Sequence, residues 1–155
     1  MCKSTNILQT LFLAGLILSN GVYAGQTSKY TGTVYSSPVK NLMPLGNGNG
    51  VLIMQSSGIV AMSGEPPTLH ALSCSGMGLE KPDETTTTDF YCNLRENPED
   101  SFDIKGTVGG EGAGSFDVIG GSGKWASATG KGEFVRVDES ENSNKTVFHV
   151  DITVP

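Results

Sequence analysis

The segment from Leu69 to Leu94, LHALSCSGMGLEKPDETTTTDFYCNL, reads as a β-hairpin. Its middle, Lys81-Pro82-Asp83-Glu84, is a turn signal with a mechanism: proline presets φ, and aspartate bonds its own backbone. A hairpin centred on Asp83 sets Cys74, nine residues before it, opposite Cys92, nine residues after it. The same register faces Leu72 with Leu94 and His70 with Glu96. Cross-strand partners in antiparallel sheets approach to a Cα separation of about 4.5–5.5 Å, within or near disulfide reach. Turn chemistry and cysteine placement agree on one register, so a Cys74–Cys92 disulfide is expected.

The same punctuation recurs along the chain. Runs of β-branched and aromatic residues alternate with Gly, Pro, Asn and Asp at Tyr30 to Tyr35, Val51 to Gln55 continuing as Ile59 to Ser63, Leu69 to Ser75, Thr86 to Leu94, Ser101 to Val108, Gly112 to Ile119, Lys131 to Asp138 and Lys145 to Val154. With the second and third runs taken as one bent strand, this gives eight. Gly109-Gly110 joins the alternating Phe102, Ile104, Gly106, Val108 to Gly114, Phe116, Val118. In the last strand Phe148, Val150, Ile152 and Val154 share one face, and His149, Asp151 and Thr153 the other. No segment after Ala24 sustains a helical period. Sequential hairpins in even number predict an all-β, eight-stranded antiparallel up-and-down barrel, whose closure removes exposed edges; a two-sheet sandwich is the alternative. Leu45 to Gly50 and Gly64 to Thr68 read as loops, either plain connectors or the rim of a cavity mouth.

The amino terminus carries Lys3, an apolar run from Ile7 to Leu18 and then Val22-Tyr23-Ala24, the layout of a secretory signal cut after Ala24. The run is shorter than the roughly 18 apolar residues of a spanning helix. Cys2 precedes it, which argues against a lipoprotein. Residues 1–24 are therefore expected to be a cleaved signal and 25–155 one β domain, exported to a periplasm or secreted. Removing the leader, with its single cation and no acid, turns the formal charge of −6 into −7. An acidic chain without a Lys/Arg cluster disfavours nucleic acid as partner. Cys74 and Cys92 remain as an even pair, which in an oxidising compartment suits a disulfide.

Gly120 to Gly130, GGSGKWASATG, is followed by Lys131-Gly132-Glu133-Phe134 and preceded by Gly114 to Gly120, GSFDVIG. This stretch resembles the GGTGKF-x-GATG-x-G-x-F segment of the allene oxide cyclase and dirigent barrel superfamily, including its small exported bacterial members. Trp125 stands where Phe or Tyr is usual, and Ser127 where glycine is common. The resemblance implies an eight-stranded barrel with an apolar interior and a homo-oligomer, dimer or trimer.

Patterns that would carry chemistry are weak. Gly121 to Ala126 mimics a dinucleotide fingerprint but lacks the helix that must follow it, and Val118 and Trp125 stand where a phosphate loop needs glycine. No nucleophile elbow occurs, and a strand-borne His70–Glu96 pair reads as a surface ion pair. Asp103, Asp117 and Glu133 alternate with apolar residues as a solvated face does, so a glycosidase pair is disfavoured. The acids of Glu96 to Asp100 lack the alternation of a calcium loop. No catalytic residue, metal or cofactor is assigned. The expected function is binding of a small apolar molecule inside the barrel, with Tyr91, Phe116, Trp125, Phe134 and Phe148 as candidate ligand-binding residues. Trp125 could instead plug the bore. The alternatives are a cyclase- or isomerase-like enzyme, in which a rigid greasy cavity positions a reactive intermediate, and a surface interaction protein with a filled barrel.

Overall fold

Eight strands follow one another: β1 (Gln26–Pro44), β2 (Gly50–Met62), β3 (Thr68–Glu80), β4 (Thr86–Arg95), β5 (Ser101–Gly109), β6 (Ala113–Ser122), β7 (Thr129–Ser140) and β8 (Ser143–Val154). Each is antiparallel to the next, and β8 returns to pair with β1, so the sheet closes into a barrel and the sandwich alternative falls. This computed structural model describes residues 25–81, 86–140 and 142–155. The expected leader and the Pro82-Asp83 turn lie outside the described residues. None of the described helices is long and apolar enough to cross a membrane.

The β3–β4 register is the one the turn implied, with Leu72 opposite Leu94 and Cys74 opposite Cys92, and the two sulfurs are bonded at 2.03 Å. Strand β1 runs well past Tyr35, through Pro38, to Pro44. Its pairing with β8 ends at Ser36 and Asn144. Beyond that point the backbone of β1 pairs, among the described residues, with β2 alone, an edge position where a proline without an N–H is tolerated. The projecting end of β1 leaves Val39, Leu42 and Met43 exposed.

An eight-stranded barrel is just wide enough for side chains to fill it or for one small ligand. Here inward phenylalanines lie against inward glycines of the neighbouring strand, as Phe148 does with Gly32, Phe134 with Gly114 and Phe116 with Gly132. A Cβ on Gly132 would come within 2.3 Å of the Phe116 ring. The glycines thus make room for the rings and let the walls approach.

The end where β1 begins and β8 stops is closed. A 3₁₀ turn at Gly123–Trp125 folds inward and buries the indole, which is 5% exposed, against Tyr30 and Phe102 with centroids 6.1 and 5.1 Å away. Val60, Ala128, Val150 and Ile152 complete this core at 0–1% exposure. The acidic loop acts as a fastener. Asp100 accepts the Lys124 N–H at 2.9 Å and an Asn97 amide bond at 2.9 Å, while the Lys124 ammonium pairs with Glu96 at 2.6 Å.

Candidate functional site

Above the Trp125 plug, toward the turns that follow β1, β3, β5 and β7, the bore opens into a cavity of about 130 Å³. Phe90, Phe116, Phe134, Phe148, Leu72 and Ile104 are among the apolar residues of its wall, and the Cys74–Cys92 bridge is part of it. Their rings meet edge to face or tilted, at 5.7 Å for Phe90 and Phe134 and 6.3 Å for Phe116 with Phe134 and with Phe148, as aromatic quadrupoles prefer.

One arc of the wall is polar. Arg136 on β7, Thr146 and Asn144 on β8, Ser36 on β1 and Ser56 on β2 line the cavity from four consecutive strands. Arg136 is opposite Thr146, and Ser36 is opposite Asn144. A bulge places the arginine: Val137 has no partner, and the register shifts between Arg136 and Asp138. Such a bulge bends a strand and re-aims its side chains. The Arg136 N–H donates to the Gly112 carbonyl at 2.9 Å, and the side chain passes beneath Gly112, whose φ of +77° suits glycine. Arg136 Nη1 donates to Glu139 at 2.5 Å, and Lys40 donates to the other Glu139 oxygen at 2.9 Å. The Lys40 hydrogen bond, and then that of Arg136, hold the Glu139 carboxyl below the usual carboxylate range. Two cations thus share one carboxylate at the mouth. Ser56 Oγ and Asn144 Oδ1 are buried with no hydrogen-bond partner among the described residues.

Of the residues singled out from sequence, Phe116, Phe134 and Phe148 line this cavity. Trp125 does not: it is the floor beneath it. Tyr91 faces outward at 61% exposure, because it alternates with the inward Phe90 and Cys92. The His70–Glu96 surface pair is also corrected. His70 points inward, is 1% exposed, and packs edge-on against Phe102. Its Nε2 lies 2.9 Å from Thr68 Oγ1, and burial lowers its pKa despite the nearby Glu96 charge. Asp117 and Glu133 lie outside, opposite Lys131 and His149, and Asp103 accepts a hydrogen bond from Asn93. Of the two loops considered as a rim, Leu45 to Gly50 is at the open end and Gly64 to Thr68 at the closed one. The polar arc was the feature missed. Its signal was the two-residue period: Arg136 is in phase with Phe134, and Asn144 and Thr146 with Phe148.

No protein-family model matches the sequence, and a search of curated proteins finds no match. Among solved structures, that of the pterocarpan synthase dirigent protein GePTS1 aligns with 84% of this chain and 87% of its own at a TM-score of 0.53 and 10% identity. The chain has a dirigent-like fold. At that identity the likeness speaks for the barrel alone. It agrees with the dirigent side of the resemblance carried by Gly120 to Phe134, and does not reach the allene oxide cyclase side or a bacterial source.

Proposed function

We propose that this protein is an exported barrel that binds one small, largely apolar molecule in its interior without transforming it. The observation that carries this is the apolar void of about 130 Å³ above a sealed floor, a volume close to that of an engineered cavity, roughly 150 Å³, that takes up benzene. A bore filled by its own side chains, the structural alternative, would leave no such space. The disulfide suits an oxidising compartment. Among the described residues Arg136 is the one titratable side chain lining the void; it stays protonated and supplies no general base, which favours binding over proton transfer.

Native mass spectrometry of the protein purified from its own source tests this. A small mass should copurify, be lost on denaturation, and be missing from a Val108→Phe variant, whose larger ring enters the void. Retention of that mass by a folded Val108→Phe protein would place it elsewhere and defeat the reading.

A further inference from the structure

Resting on that reading, we infer that the molecule held in the barrel is an arenecarboxylate: a single aromatic ring bearing a carboxylate that points to the mouth. Three observations converge. The volume, close to that of a cavity which takes up benzene, suits one aromatic ring. The wall is built from phenylalanines in edge-to-face and tilted contact, which accept another ring in the same geometry. The polar groups are gathered on one arc at one end of the void, and their chemistry suits an anion.

Arg136 presents five donors in a planar fork, and only Nη1 has a partner among the described residues, Glu139. That carboxylate is also engaged by Lys40, so this trio at the mouth carries a net positive charge. Ser56 has a buried, unpartnered hydroxyl and Asn144 a buried amide oxygen without a partner among the described residues. Buried polar groups left unmatched are costly. A carboxylate would accept from the Ser56 hydroxyl and from the guanidinium, and Asn144 could turn its amide so that nitrogen donates in place of the oxygen. A purely apolar guest would leave the Ser56 and Asn144 atoms unanswered. A cation would meet Arg136 directly.

The test compares three probes of similar size by calorimetry at pH 7.5: phenylacetate, the neutral 2-phenylethanol and toluene. The expected result is phenylacetate bound at least about 10-fold more tightly than 2-phenylethanol, the magnitude of one charge-assisted hydrogen bond. Arg136→Met should abolish that preference while leaving toluene binding in place. Glu139→Gln, which removes the competing negative charge beside the guanidinium, should tighten phenylacetate several-fold and leave toluene unchanged; this variant decides the matter if Arg136→Met does not fold. Equal affinity for phenylacetate and 2-phenylethanol in the parent, or a preference that Glu139→Gln leaves unmoved, would overturn the carboxylate assignment while the binding barrel stood. Failure of all three probes to bind would overturn both.

Discussion

Ser127 has a φ of +60°, where L-residues other than Gly, Asn and Asp are uncommon. It lies where the sequence pattern commonly carries glycine, just after the turn that seats Trp125, and its side chain is exposed. Serine in the left-handed region is disfavoured by roughly 1–2 kcal/mol, and glycine's greater freedom in the unfolded chain offsets about 0.4–1 kcal/mol. Ser127→Gly should therefore stabilise the fold by about 0.5–1 kcal/mol, read as a raised urea midpoint; a lowered midpoint would mean the serine hydroxyl has a role. His70 is the second residue with a measurable signature. Burial lowers its pKa below 6.5, Glu96 opposes the shift and Lys124 assists it. Below pH of about 6.5 the unfolded chain takes up a proton that the folded protein refuses, so stability present above that pH is lost as pH falls. Melting temperature should decline between pH 7.5 and 5, and His70→Gln should flatten that decline. Asp100, whose pKa the Lys124 N–H lowers below 3.8, contributes a separate loss only at more acid pH, as the carboxylate protonates in the folded state. A His70→Gln protein with the parent's slope between pH 7.5 and 5 would remove His70 as the cause.

Among the elements, the β3–β4 hairpin shows most plainly how the fold can be read from residues. Turn chemistry at Pro82-Asp83 and the two cysteines had one common register, and the barrel adopts it. Replacing both cysteines by alanine frees a loop with a sequence separation of 18, for which chain entropy gives roughly 3 kcal/mol. The doubly substituted protein should melt cooperatively but with about that much less stability, and its cavity should widen, because the bridge is part of the wall. An unchanged denaturation midpoint would contradict the entropic account. Period-two alternation likewise placed Phe116, Phe134 and Phe148 inward. The same alternation turns Tyr91 outward, between the inward Phe90 and Cys92. What alternation does not contain is the bulge at Val137 or the inward fold of the Gly123–Trp125 turn, since both depend on how neighbouring strands meet. Arg136 could be placed on the inner face from its spacing, but its position at the mouth follows from that bulge and from its bond to Gly112.

Across the whole molecule the barrel is asymmetric along its axis, and stability and binding fall at opposite ends. The most completely buried large side chains, Phe102, Ile152, His70, Val60 and Val150, gather toward the Trp125 plug, whereas the open end has the partly buried Phe134 and Phe148 beside a void and the exposed edge of β1 beyond it. Local opening is easiest where apolar contacts are few and backbone bonds lie exposed. Hydrogen exchange followed by mass spectrometry should accordingly show a gradient. Amides around Val60, Val150 and Ile152 should exchange only through global unfolding, and those of residues 39–44 much sooner, through opening of the β1–β2 projection alone. Trp125→Ala should lower protection throughout, as loss of a large core aromatic costs about 3–5 kcal/mol. Phe134→Ala should cost less than that, because the ring already borders empty space. Uniform protection from the plug to the β1 projection would show that the barrel opens as one unit, and the division of labour between its ends would then have no energetic basis. A bound guest sharpens the comparison: it should slow exchange at Arg136, Asn144 and Thr146 and also at the plug, because amides that open only by global unfolding gain the whole stability the guest adds, whereas residues 39–44, which open without releasing it, should be little changed.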